Sequence, residues 1–225
     1  MNQAQFFSRS IKRLCNNKSL LPAGYQQVEY LQSTGTQGID TGVIIPDNYF
    51  RIECKLKCTV YINGNTATRF WGSQGNGRTS IVPWYAGHGA GPFATLAVAA
   101  SWYLHTNIET YVDTIYTVDL TASNGQFTGT CCGAAINTTY SGSVATGRTE
   151  GLFFNNQQST PYEAATTNQG ASAFYYCRMH TSEGLVRDFV PCYRKSDNKP
   201  GMYDLVTKTF FTNIGTGEFT VGDRQ

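Results

Sequence analysis

The chain has 225 residues, of which 14% are charged and 13% aromatic, with 23 glycines and a formal net charge of +2. So low a charged fraction argues against a disordered chain and against a nucleic-acid coat. One domain of this length buries roughly 70% of its unfolded surface, so its core needs neither a disulfide nor a metal. The abundance of glycine, phenylalanine and tyrosine favours strands and tight turns.

Residues 1–20 differ in charge from the rest of the chain. They contain four basic residues and no acid, which makes them +4 and leaves −2 for residues 21–225. Apolar residues spaced i, i+4 and i+7 predict a short helix over residues 2–15. We expect a helical or extended arm that anchors the protein on a partner; a solvated basic tail is the alternative. The residues assigned to anchoring are Phe7, Arg9, Ile11, Lys12, Arg13 and Leu14.

No segment has the pattern of a secretory signal or of a membrane span. Phe6-Phe7 is followed at once by Ser8-Arg9-Ser10, so the apolar stretch of a signal peptide is missing. The apolar run over residues 93–100 is too short to cross a bilayer. We therefore expect a protein that is neither exported by a signal peptide nor embedded in a membrane, and that has no membrane partner.

The clearest predicted strand is Phe50–Val60, in which apolar and polar residues alternate strictly. This period of two gives one buried face and one wetted face, with Cys54 and Cys58 on the buried one. The chain has seven cysteines at irregular spacing, and Cys54-x-x-x-Cys58 lacks a second Cys or His pair for zinc. We predict reduced thiols in the core.

Further strands follow, joined by short turns. The predicted strands are Ile108–Leu120, Gln126–Cys132, Ala173–Met179, Leu185–Val190, Met202–Val206 and Thr209–Asn213. Asn124-Gly125, Ser182–Gly184 and Lys199–Gly201 supply the turns. Frequent turns and the lack of a long helical pattern predict an all-β, two-sheet antiparallel sandwich over residues 21–225.

Two motifs bound this domain. The opening motif comprises Leu21-Pro-Ala-Gly-Tyr25, Val28-Glu-Tyr30 and Gly35-Thr-Gln-Gly-Ile-Asp-Thr-Gly42. The closing motif comprises Val186-Arg-Asp-Phe-Val-Pro-Cys192, Gly201-Met-Tyr-Asp-Leu-Val206 and Phe210-Phe-Thr-Asn213. Together they resemble the laminin-G-like, concanavalin-A-like jelly-roll domains of bacteriophage and prophage virion proteins, especially those of gut bacteria. The resemblance covers residues 21 to about 222 and excludes the arm.

The resemblance implies a jelly roll, in which the first and last strands lie side by side and leave fewer open sheet edges. It also implies a place on a phage capsid, head fibre or tail. Such domains often form symmetric oligomers, here expected to be trimers, whose distal domain meets the host surface. Production in the cytoplasm of the bacterial host follows.

Catalytic patterns are missing from the sequence. A glycosidase needs two carboxylates facing one sugar bond, and no Glu-x-Asp-x-x-Glu triplet occurs. Glu109 and Asp113 share a predicted strand face but would lie about 13 Å apart, which is too far. The three histidines have no nucleophile turn to serve. Asp188 and Asp204 are expected to accept hydrogen bonds instead. We predict that the protein is not an enzyme.

A bound cation is left open. Lectin-like sandwiches often hold calcium with Asp, Asn and carbonyl oxygens. Asp47-Asn48 and Asp197-Asn198 are the two Asp-Asn pairs, and both equally suit plain turns. No cofactor is predicted and no metal ligand is assigned.

Aromatic residues concentrate between residues 70 and 105, where all three tryptophans lie among glycines. Aromatic faces held on glycine-rich loops can stack on sugar rings, although tryptophan is also commonly buried in a sandwich core. The predicted glycan-binding residues are Trp71, Trp84, Tyr85, His88 and Trp102.

The sequence therefore predicts a phage virion structural protein. Residues 1–20 would anchor it to other virion proteins, and residues 21–225 would expose a lectin-like jelly roll as a capsid decoration, head fibre or tail component. Weak binding to host-surface or mucosal glycans is the expected contact, with no nucleic-acid partner. The alternative is a free carbohydrate-active enzyme or lectin of the same fold.

Overall fold

The computed structural model describes residues 20–59, 70–74, 78–85, 93–98, 101–109, 111–145, 147–153 and 171–225, with the backbone alone from 74 to 109. These residues form seventeen strands and contain no helix. The strands are β1 Tyr25–Gln27, β2 Leu31–Gln32, β3 Ile39–Ile44, β4 Tyr49–Cys58, β5 Trp71–Gln74, β6 Arg78–Tyr85, β7 Phe93–Val98, β8 Ser101–Glu109, β9 Ile115–Ser123, β10 Gln126–Cys131, β11 Ala134–Thr139, β12 Thr149–Leu152, β13 Ser172–Thr181, β14 Gly184–Arg194, β15 Lys199–Asp204, β16 Thr209–Thr212 and β17 Thr220–Val221. The predicted arm lies outside the described residues, apart from Leu20.

Two antiparallel sheets pack face to face. The large sheet has the order β11-β10-β9-β4-β13-β14-β15-β16, with β1 beside β14 and with β2 between β13 and β17. The second sheet has the order β3-β12-β5-β6-β7-β8. One core cluster contains residues of both sheets, and the rings of Phe50 (large sheet) and Trp71 (second sheet) lie 4.8 Å apart. The predicted all-β, two-sheet antiparallel sandwich is confirmed.

Strand β4 shows the predicted alternation. Phe50, Ile52, Cys54 and Leu56 are at most 3% exposed, whereas the residues that alternate with them are half-buried. The six described cysteines are free and buried, as predicted, and Cys54 lies opposite Cys177 in the neighbouring strand. Burial raises the pKa of the Cys54 and Cys177 thiols, so these groups stay protonated and pack as small apolar side chains.

The prediction of one strand over Ile108–Leu120 is wrong. Strand β8 ends at Glu109 and β9 begins at Ile115, with a turn between them. Asp113 has a φ of +60°, a left-handed conformation that Asp tolerates better than most residues. The phenol oxygen of Tyr116 accepts the Tyr111 N–H at 2.7 Å. Glu109 and Asp113 therefore do not share a strand face.

The other predicted turns differ in outcome. Asn124 and Gly125 both have positive φ, +49° and +80°, as a two-residue hairpin turn requires. Residues 182–183 join β13 to β14 as predicted. Lys199–Gly201, however, lies inside β15. The turn comes earlier because the Asp197 carboxylate binds Arg194 and also accepts the Lys199 N–H at 3.2 Å.

The opening and closing segments join along one ladder. Strand β17 pairs with β2, and Val28 forms a bridge with Arg224. Asn213 extends the join, because its side-chain oxygen accepts the N–H groups of Gly38 at 3.0 Å and Gly215 at 2.8 Å. Its amide nitrogen donates to the Gly217 carbonyl at 2.9 Å. The opening and closing segments therefore lie side by side, with the last strand, β17, beside β2, while the first strand, β1, lies beside β14.

Replacing Asn213 with alanine should weaken this join. Asn213→Ala removes an acceptor from two backbone N–H groups and a donor from one carbonyl, so we expect the free energy of unfolding to fall by about 1–2 kcal/mol. Urea denaturation measures the change. Asn137→Ala on the exposed side of β11 is the control and should cost less than about 0.5 kcal/mol. Equal costs at the two positions would contradict the role of Asn213.

Candidate ligand-binding face

The large sheet presents a polar face opposite to the core, here called the outer face. It is defined by alternate residues of three adjacent strands, because the register aligns them in rows. Its members are Arg51, Glu53, Lys55 and Lys57 of β4, Thr117, Asp119 and Thr121 of β9, and Tyr176, Arg178 and His180 of β13. Thr117 is exposed and the others are half-buried, so most of them are held in place while their polar atoms reach the surface.

A charged row crosses the middle of the outer face. Arg51 binds the Asp119 carboxylate through two N–H···O contacts of 2.9 and 3.0 Å and lies 3.3 Å from Glu53. The hydrogen bond to Asp119 raises the pKa of the Arg51 guanidinium. Such fork-on-fork pairs fix orientation as well as charge.

The row continues across β13 into β14. Glu53 accepts contacts from His180 Nε2 at 3.0 Å and from Arg178 at 3.9 Å. Arg178 in turn binds Asp188 at 3.1 Å. Positive and negative groups therefore alternate through four strands, and each carboxylate has a cationic or imidazole partner.

This arrangement does not resemble a pair of catalytic acids. Glu53 and Asp119 are direct neighbours on adjacent strands. A search of the sequence for two carboxylates on the same strand does not find this pair. A glycosidase, however, leaves room between its two carboxyl groups for the sugar bond. The guanidinium of Arg51 occupies that position and contacts both acids.

A groove of about 660 Å³ lies at the end of the outer face where β4 begins and where β9 and β13 end. Three turns form it, and its lining includes Asp47, Tyr49, Ser123, Asn124, Thr181 and Ser182. Ser182 and Asn124 are exposed and Tyr49 is half-buried. Hydroxyl, amide and carboxylate groups beside one aromatic ring are suited to a hydroxylated ligand.

The Asp-Asn pairs act as turn residues. The Asp47 carboxylate accepts the Tyr49 N–H at 2.9 Å, and Asn48 accepts the Ser143 hydroxyl at 2.7 Å and the Val144 N–H at 3.2 Å. These contacts hold the rim of the groove. Among the described residues, no group of three or more His, Cys, Asp or Glu side chains is arranged to hold a metal ion.

Trp71 was predicted to bind glycans, and the structure places it elsewhere. Its side chain is 2% exposed and packs on Phe50 between the two sheets, so no sugar ring can reach it. Tryptophan offers a large apolar area for the core as readily as for a ligand. Trp84 and Tyr85 lie on β6 and Trp102 on β8, where only the backbone is described. His88 and all six predicted anchoring residues lie outside the described part of the chain.

Asp204, a member of the closing motif, accepts hydrogen bonds as expected. It is fully buried and accepts the N–H groups of Asp188, Val206 and Thr207 at 2.7–3.1 Å, as well as the Thr207 hydroxyl at 2.6 Å. These bonds shape the turn between β15 and β16. Asp188 instead lies at the end of the charged row.

Glu150 on β12 is a buried acid of a different kind. Its side chain is fully buried, and the Ser73 hydroxyl donates to Oε1 at 2.6 Å. Within the described residues its Oε2 has no hydrogen-bond partner. Burial raises the pKa of this carboxyl from 4.5 to about 8, although the Ser73 hydrogen bond opposes the shift. A raised pKa often marks a functional group, but Glu150 lies within the core and away from the outer face.

No family model matches the chain, and no curated protein matches its sequence. The described residues also contain no helix long and apolar enough to cross a membrane.

Glu150 should make stability depend on pH. Between pH 4.5 and about 8 the unfolded carboxyl is ionised while the native one keeps its proton, so stability falls as pH rises through this window. The slope approaches about 1.4 kcal/mol per pH unit. In Glu150→Gln this contribution should disappear, as measured by urea unfolding from pH 5 to 8. Glu183→Gln, an exposed position, should keep the slope; an unchanged slope in Glu150→Gln would contradict the assignment.

Proposed function

We propose that this protein is a bacteriophage virion structural protein whose concanavalin-A-like jelly roll is exposed on the particle and binds host-surface or mucosal glycans. Two observations support the proposal. The opening and closing motifs resemble those of phage virion domains, and a two-sheet sandwich whose opening and closing segments pair with each other agrees with a jelly roll. The protein is made in the host cytoplasm and assembles as a capsid decoration, head fibre or tail component.

The groove at the end of the outer face carries the binding part of the proposal. Hydroxyl and amide groups can exchange hydrogen bonds with sugar hydroxyls, and Tyr49 offers one ring face for stacking. Turns that project from a rigid sheet are where binding residues commonly lie. The residues of the two motifs support the architecture instead, since Asn213 and Asp204 are used in backbone hydrogen bonds.

Assembly compensates for weak individual sites. A shallow polar groove gives low affinity per copy, because water competes for every hydrogen bond. A symmetric oligomer, proposed as a trimer, on a many-copy particle converts weak contacts into avidity. The arm, residues 1–20, would hold that oligomer on other virion proteins without a nucleic-acid or membrane partner. Catalysis is not part of this proposal; a free lectin or carbohydrate-active enzyme of the same fold is the alternative.

Substitution of Tyr49 tests the groove. On an array of neutral glycans, Tyr49→Ala should lower the signal of the full chain about tenfold, because one stacked ring contributes on the order of 1–1.5 kcal/mol. Tyr111→Ala is the matched control, since Tyr111 is 54% exposed in the turn after β8. Thermal melting confirms that both variants fold. Equal binding by the two variants would remove the groove from the proposal.

Removal of residues 1–20 tests anchoring. A chain starting at Leu21 should fold with an unchanged melting temperature and fail to co-purify with particles assembled in the host. Arg9→Ser, Lys12→Ser and Arg13→Ser combined in the full-length chain separate the charge of the arm from its length. Incorporation of the truncated chain at the normal copy number would contradict the anchoring role.

A further inference from the structure

We propose that the opposite end of the outer face binds a carboxylate-bearing glycan through a tyrosine–lysine patch made of Tyr30, Tyr175, Tyr176, Lys55 and Lys57. The inference rests on the proposed function, because it names a ligand class for a glycan-binding face. Lys57 lies eight residues beyond Tyr49 on β4, roughly 26 Å along the strand. The patch is therefore a second site rather than an extension of the groove.

A β-bulge puts two consecutive tyrosines on the outer face. The register of β13 against β4 shifts between Phe174 and Tyr176, and both Phe174 and Cys177 are fully buried. Regular alternation would have turned either Tyr175 or Tyr176 into the core. Both are instead half-buried, with Tyr175 beside Lys55 and Tyr176 beside Arg178. Bulges commonly re-aim side chains at binding sites.

The third tyrosine is held by the closing segment. The ring of Tyr30 lies edge-on to Tyr175 at a centroid distance of 5.5 Å. Gly222 also packs against it: a Cβ at this position would lie 2.7 Å from the Tyr30 ring, so only glycine permits this approach. The Gly222 N–H also donates to the Tyr30 carbonyl at 3.0 Å. The aromatic surface is therefore ordered before a ligand arrives, which lowers the entropic cost of binding.

Two ammonium groups lie over these rings. Lys55 Nζ is 4.9 Å from the centroid of Tyr175, and Lys57 Nζ is 5.4 Å from that of Tyr30. Lys57 also pairs with Asp113 at 3.5 Å, whereas Lys55 has no ion-pair partner among the described residues. An aromatic ring stabilises an ammonium group without neutralising its charge. Lys55 therefore keeps its charge for a ligand.

The charges around the patch indicate that it would hold an anionic ligand by direct contact and would not attract it from a distance. Asp113 and the exposed Glu29 border the patch and offset its two lysines, so the net field is weak. Burial raises the pKa of the Tyr175 and Tyr176 phenols, which stay neutral and do not repel an anion. A uronic acid combines the features that fit this site, since its ring face can lie on a tyrosine while its carboxylate pairs with Lys55.

Calorimetry with the full-length chain tests this assignment. The probes are an oligogalacturonate and the same oligomer with its carboxyl groups methyl-esterified. We expect the acidic form to bind about fivefold more tightly, as for one exposed charge pair, with a preference that weakens as salt rises. Lys55→Gln should abolish the preference, and Lys55→Arg should retain it. The control is Lys199→Gln on β15, two strands away from β13, and it should leave the preference unchanged.

The outcomes separate this inference from the proposed function. Equal affinity for both probes, or an equal effect of Lys55→Gln and Lys199→Gln, would overturn the tyrosine–lysine patch. If neutral glycans still bind and Tyr49→Ala weakens that binding about tenfold, the proposed function stands without the tyrosine–lysine patch. Lack of binding to both probes and to neutral glycans would overturn both. Melting temperatures of the variants exclude a folding defect as the cause.

Discussion

Strand β4 carries the constraint on which both the core and the outer face depend. Its ten residues alternate without interruption between buried and half-buried positions. Strand β9 flanks it in continuous antiparallel register, and β13 flanks it in an antiparallel register that shifts once, at the bulge between Phe174 and Tyr176. A slip of one residue would turn Glu53 and Lys55 into the core and expose Ile52 and Leu56. The packing against Trp71 therefore fixes the surface on which the charged row and the two proposed glycan sites lie.

Features encoded by neighbouring residues could be predicted from the sequence. The period of two in β4 and the Asn124-Gly125 turn are of this kind, and both agree with the structure. The charged row could not be predicted, because it joins four strands whose register depends on tertiary pairing. The clustering of aromatic residues also predicted the wrong role for Trp71, which lies in the core and not at a glycan site. An aromatic side chain packs equally well on a sugar or on a phenylalanine ring, so its role cannot be read from the sequence alone.

The buried acids Asp204 and Glu150 differ in the number of hydrogen bonds that their carboxylate oxygens accept. Asp204 accepts three backbone N–H groups and a hydroxyl, so its burial shapes a turn. Glu150 receives one hydroxyl, so its burial favours the proton-bearing form. The groups that surround a carboxylate, more than its depth, decide whether it organises the backbone or makes stability sensitive to alkali.

The ladder that joins the opening and closing segments has a mechanical consequence. Val28 faces Arg224, Leu31 faces Val221 and Gln32 faces Thr220. Because this pairing is antiparallel, the chain before Val28 and the chain after Arg224 lie at the same end of the ladder. A force that pulls these two chain segments apart would load the residue pairs of the ladder one after another, beginning at Val28 and Arg224. Such geometry yields at low force, because the hydrogen bonds cannot share the load as they do when strands are sheared lengthwise.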